Sequence, residues 1–97
     1  MMLAKLEEDI QRVGRHTAIL RLVITHKSIG IIKLSEISGF RQHQVRYSLR
    51  VLENQGLIKP SPQGAVATAK GKKFEKNLKE KVQRLRKALD KLTIFFY

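Results

Sequence analysis

Ninety-seven residues with an apolar fraction of 42% suffice for one small core and are expected to make one domain, with room for an appended helix. Lys and Arg outnumber Asp and Glu by 20 to 8, for a net charge of +12 and a pI near 10.5; a folded domain this basic usually meets a polyanion. The absence of cysteine excludes disulfide and thiolate–zinc frameworks.

Leu3, Leu6, Ile10 and Val13 are spaced three and four apart and predict an N-terminal helical segment over residues 1–14, weakened or bent at Gly14. Ala18, Ile19, Leu22, Val23 and His26 form a second helical face that runs to about Lys27. Ser28-Ile29-Gly30 reads as a connector, with Gly30 as N-cap. Ile31 to Ser38 follows as a short helix with Ile31, Leu34 and Ile37 inward, closed by Gly39 in a left-handed conformation, after which Phe40 turns into the core. A longer helix is expected from about Gln42 to Gln55, stopped by Gly56. Leu57-Ile58-Lys59 and Ala65-Val66-Ala67-Thr68 are strand-like and flank the turn Pro60-Ser61-Pro62-Gln63-Gly64. Thr68 caps a last helix, expected to be continuous from about residue 69 to 95. Its apolar positions after Phe74 are Leu78, Val82, Leu85, Leu89, Leu92 and Phe96, a heptad seam.

The helix over 42–55 carries the most chemistry. At 100° per residue, Val45, Leu49 and Leu52 lie on one side with Ser48 at its edge, and His43, Arg46, Tyr47, Arg50 and Asn54 lie opposite. Between Phe40 and Leu52 there are three arginines and no acid, whereas a merely solvated face mixes signs. Arg bonds guanine bidentately, Gln bonds adenine, and His or Tyr reaches a base edge or a phosphate. The N-terminal half of such a helix reaches the bases, so Gln42, His43, Gln44, Arg46 and Tyr47 are the expected base-reading residues, with Arg50 on phosphate.

Leu34-Ser35-Glu36-Ile37-Ser38-Gly39-Phe40 resembles the second helix and turn of the winged helix-turn-helix regulators of the MarR, ArsR and PadR kind, with small archaeal winged-helix regulators nearest in size. Val45 to Ile58 resembles their recognition helix running into the wing, and Thr68-Ala69-Lys70-Gly71-Lys72-Lys73-Phe74 resembles the Thr-x-x-Gly start of their post-wing helix. The resemblance covers about Thr17 to Phe74. It implies a mainly α fold with a small β-hairpin: a winged helix-turn-helix DNA-binding domain over 15–68, flanked by the N-terminal segment and a C-terminal coiled-coil-like dimerisation helix over 69–97. Two departures stand out. Arg41 occupies a place where these regulators often have a Ser or Thr cap, and the wing turn is short with two prolines. Arg41, Lys59, Ser61, Gln63, Lys70, Lys72 and Lys73 are the expected phosphate and wing contacts.

The seam Leu78, Val82, Leu85, Leu89, Leu92 and Phe96 needs a cover, expected to be a second copy, since symmetric dimers read paired half-sites. Leu3, Leu6, Ile10 and Val13 can share that interface, and Glu75 with Lys79 and Glu80 with Arg84 can pair along the helix. The expected function is sequence-specific binding of double-stranded DNA by a homodimeric transcriptional regulator, most simply a repressor. The alternatives are an architectural chromatin protein with little sequence preference, or a winged-helix protein-interaction adaptor; the single-strand RNA-reading motifs are absent. His16, His26 and His43 lie on different elements and make a poor metal set. No nucleophile elbow or phosphate-cradling glycine loop occurs, so neither an enzyme nor a metal or cofactor is expected, and the sequence implies no small-molecule effector. Acidic Glu7, Glu8 and Asp9 break any signal-peptide pattern, and Arg21, His26, Lys27 and Lys33 break the apolar stretches. The expectation is therefore a cytoplasmic, nucleoid-associated protein without a membrane partner.

Overall fold

The computed structural model describes residues 2–95. Its elements are α1 (Met2–His26), α2 (Ile31–Ser38), α3 (Gln42–Asn54), β1 (Ile58–Ser61), β2 (Gly64–Ala67), α4 (Ala69–Lys76) and α5 (Leu78–Ile94). The molecule is mainly helical with one antiparallel hairpin, and it is elongated, at 53 × 26 × 22 Å. Phe96, expected in the dimer seam, lies outside the described residues.

The core gathers where α1, α2, α3, the hairpin and α4 meet. Ile19, Leu20, Val23, Ile29, Leu34, Val45, Leu52, Leu57, Ile58 and Ala67 are buried there, and Phe40, Leu49 and Phe74 pack against them. Each fully buried aliphatic side chain contributes about 1.5–3 kcal/mol relative to exposure. Leu20, outside the expected face of α1, is fully buried, while His26 is exposed. The reason is coverage: the C-terminal half of α1 meets α2, α3, β2 and α4, so its buried arc is wider than that of a one-sided helix.

Gly14 does not divide α1, which runs unbroken from Met2 to His26 across the expected segment boundary. One exposed glycine costs a helix about 1 kcal/mol, and the leucines, alanines and glutamates around it outweigh that. Nor does α1 end on a glycine; Lys27 adopts the left-handed conformation (φ 66°) beyond it. Gly30 caps α2 in extended conformation, and Gly39 (φ 80°) closes it with its N–H on the Ser35 carbonyl. Ile37, expected inward, is exposed, because only Leu34 on this two-turn helix points fully into the core.

The connector before α2 is part of the sheet. Ile29 pairs with Ala65, its N–H donating to the Ala65 carbonyl (3.2 Å) and its carbonyl accepting from the Ala65 N–H (2.8 Å). The hairpin register pairs Ile58 with Ala67, Lys59 with Val66, Pro60 with Ala65 and Ser61 with Gly64, so the turn shrinks to Pro62-Gln63. Pro60, expected in the turn, lies in the strand. It faces Ala65, whose N–H and carbonyl both serve Ile29, so the missing proline N–H leaves no ladder bond unmade. A side chain at Gly64 would overlap the backbone of Ile29.

Gly56 (φ 74°) stops α3 as expected, and Thr68 caps α4 by accepting from the Gly71 N–H at 3.0 Å. Gly71 is buried against the Leu57 carbonyl, where a Cβ would overlap. The expected single last helix is interrupted at Asn77 (φ −91°, ψ 0°), a residue whose side chain competes with helical backbone bonding. Glu75 pairs with Arg21 of α1 at 3.2 Å, not with Lys79, because α4 packs on α1. Lys81 sits over the Phe74 ring, 4.4 Å from its centroid.

Candidate nucleic-acid interface

α3 is held from below and open above. Val45, Ser48 and Leu52 are buried, whereas His43, Arg46, Tyr47, Arg50 and Asn54 on the opposite side are exposed. Among the described residues neither Arg46 nor Arg50 pairs with a carboxylate. Arg46 lies between two open grooves. One lies toward α2 and is lined by Ile32, Lys33, Glu36 and Gln42; the other runs along α3 past Leu49, Arg50, Glu53 and Asn54. The fold thus brings Gln42, Arg46 and Arg50 onto one surface. Lys59, Ser61, Gln63, Lys72 and Lys73 line neither groove.

Several expected contact residues have local tasks. The Gln44 Oε1 accepts the Arg41 N–H at 3.0 Å and closes the first turn of α3, so this half-buried side chain is turned back on the backbone. The arginine side chain carries no acceptor, so the reciprocal half of a capping box is not formed. Arg41 stands at the N-cap position in extended conformation (φ −69°, ψ 153°) with its guanidinium exposed. Ser61 donates to the Gly64 carbonyl at 2.6 Å and tightens the hairpin turn. Lys70 donates to the Gln55 carbonyl at 2.9 Å, placing a cation at the C-terminal end of α3, where the helix dipole favours one.

Ser48 is not at the edge of the buried stripe but inside it, with no exposed surface. Its Oγ lies 2.8 Å from the Nδ1 of His16 and accepts from the Arg15 Nε at 3.4 Å. The His16 ring is tilted against Tyr47, with centroids 5.6 Å apart. Burial, then the charges of Arg15 and Arg12, hold the His16 pKa below its ordinary 6.5. Sequence reasoning missed Arg15 and His16. The available signal was Ser48 itself, because a serine in a buried apolar stripe requires a polar partner.

On the terminal helices, Val82, Leu85, Leu89 and Leu92 of α5 are exposed, as are Leu3, Leu6, Ile10 and Val13 of α1, while Leu78 is half-buried. Among the described residues, α5 has no extended packing beyond its junction with α4. No described helix is long and apolar enough to cross a membrane.

The sequence matches no protein-family model and no curated protein. Among solved structures, the chain is similar to the activation domain of the phage T4 transcription factor MotA, with a TM-score of 0.59 at 20% identity. The similarity covers 77% of this chain and 79% of that one, and so extends over most of the fold.

Proposed function

We propose that the chain is a transcriptional regulator of the winged helix-turn-helix type that binds double-stranded DNA sequence-specifically, with α3 in the major groove. The observation that carries this reading is the outer face of α3. His43, Arg46, Tyr47 and Arg50 stand exposed on a helix anchored by Val45, Ser48 and Leu52, and the arginines are free of carboxylate partners among the described residues. Unpaired guanidinium groups on a rigid helix are suited to guanine edges and phosphates. The Ile29–Ala65 pairing supports the winged reading by tying the hairpin to the segment before α2. In this reading Gln42, His43, Arg46 and Tyr47 read bases, Arg41 and Arg50 hold phosphate, and Lys59 and Gln63 present the wing. The chain acts by binding, without catalysis, and most simply represses by occluding polymerase.

The regulator is proposed to be a homodimer, and charge selects the pairing. α5 carries Lys79, Lys81, Arg84, Arg86, Lys87 and Lys91 against Glu80 and Asp90, so two α5 helices side by side repel. The N-terminal half of α1 carries Glu7, Glu8 and Asp9 beside its exposed stripe. Packing of α1 on the partner's α5 covers both stripes and sets acid against base.

The test is selection of bound duplexes from a random pool, followed by salt titration of the winner against random DNA. A two-fold motif is expected, and Arg46→Ala should weaken binding to it about fivefold to a hundredfold more than binding to random DNA, since a bidentate base contact carries about 1–3 kcal/mol of discrimination. Tight binding without a motif would indicate an architectural protein. A second reading, a protein-interaction adaptor, draws on the similarity to an activation domain and on Ile32, which is exposed beside Arg46. Failure to shift any duplex at low salt would select it.

A further inference from the structure

Arg15 and His16, beside Tyr47, form a polar cluster on the flank of α3, and base reading uses neither of these two α1 side chains. We propose that it is a seat for a backbone phosphodiester of duplex DNA, through which α1 widens the footprint beyond α3 and the hairpin. This rests on the DNA-binding reading above.

The geometry presents donors outward. Ser48 occupies Nδ1 of His16 from beneath, at 2.8 Å. In the imidazolium both ring nitrogens carry protons, so Nδ1–H donates to Ser48 and Nε2–H is a donor directed away from it. Arg15 holds Ser48 only through Nε, in a long 3.4 Å bond, which leaves its terminal nitrogens as donors. Tyr47 is exposed and its ring stands against that of His16, so it borders the seat. The Arg15 guanidinium and the His16 imidazolium, both tied to a fully buried serine, suit the oxygens of one phosphate.

The charges around His16 favour an anion. On its own helix Arg12 and Arg15 face it, and Arg12 is shared with Asp9 at 3.0 Å. From α3 it meets Ser48 and Tyr47, and no described carboxylate pairs with it. Burial first, and then the two guanidinium charges, disfavour the imidazolium in the free protein; a phosphate would offset the charges. Binding is therefore linked to proton uptake at His16 and tightens as the pH falls.

His43 is a second imidazole, on the outer face of α3, so the experiment uses the full chain carrying His43→Gln. The probe is a random-sequence duplex of about 20 base pairs, two helical turns, at constant ionic strength. Lowering the pH from about 8 to about 6, across the imidazole range, should tighten binding roughly threefold to tenfold, and His16→Gln should abolish that dependence. Arg15→Gln should lower the slope of log affinity against log salt by about one. Because His16→Gln alters a group bonded to the buried Ser48, the His16 imidazole is also titrated by NMR without that substitution. Its pKa should rise when the duplex is added. An unchanged pH dependence in His16→Gln, an unchanged salt slope in Arg15→Gln, or a His16 titration unmoved by duplex overturns the seat while leaving the binding reading standing. A chain with His43 intact that shifts no duplex overturns both.

Discussion

The middle of the chain and its two ends carry the same kind of signal with opposite outcomes. Ile19, Leu20 and Val23 in the C-terminal half of α1 are fully buried, whereas Leu3, Leu6, Ile10 and Val13 in the N-terminal half of that same helix are exposed. Val82, Leu85, Leu89 and Leu92 on α5 repeat the exposed case. All are apolar residues at helical spacing. What separates them is whether the chain brings another element against them: α2, α3, the hairpin and α4 surround the middle, and nothing within the described residues covers the ends. Helical periodicity therefore reports a face that requires a partner, and the partner is decided by the rest of the fold or by another molecule.

The sharpest way to break this contrast is to remove one leucine from each region. Leu20→Ala should cost about 2–5 kcal/mol of unfolding free energy in denaturant titrations, because it opens a cavity among fully buried neighbours. Leu85→Ala should leave the dilute monomer within about 0.5 kcal/mol of the parent, yet shift sedimentation equilibrium toward monomer. Equal losses of monomer stability would show that α5 is covered by its own chain.

A smaller effect is expected at the junction between the regions. Gly71 sits where the first turn of α4 meets the Leu57 carbonyl, and Thr68 bonds both the Gly56 carbonyl and the Gly71 N–H. Gly71→Ala should cost about 1–3 kcal/mol through backbone displacement, although alanine is the better helix former. A stabilised variant would mean that the hairpin and α4 are less tightly joined than they are here.

The smallest expected change concerns pH. His16 in the folded chain titrates below its ordinary 6.5, so the unfolded chain binds the proton more readily. Its contribution is complete above the unfolded value and is lost as the pH falls through and below about 6.5, so stability should decline modestly in that window. His16→Gln should remove this decline in denaturant titrations at neutral and mildly acid pH. Stability that instead rises on acidification would place the His16 charge beside an acid.

The sequence alone determined the local elements. Gly39 and Gly56 mark two helix stops through the left-handed backbone they adopt, Thr68 marks a helix start, and the spacing of Val45, Leu49 and Leu52 orients α3 with Arg46 and Arg50 outward. These are short-range effects, set by residues within a turn or two of one another. Tertiary structure decided what depends on contacts between distant segments: the unbroken α1, the Ile29–Ala65 pairing, the move of Glu75 from Lys79 to Arg21, and the burial of Ser48 beneath Arg15 and His16. Gln44 and Lys70 carry suitable chemistry for a groove, but their hydrogen bonds tie them to backbone at either end of α3. Residue type announces which bonds a side chain can make; only the folded chain, by placing donors and acceptors from remote positions within about 3 Å, selects which of them it does make.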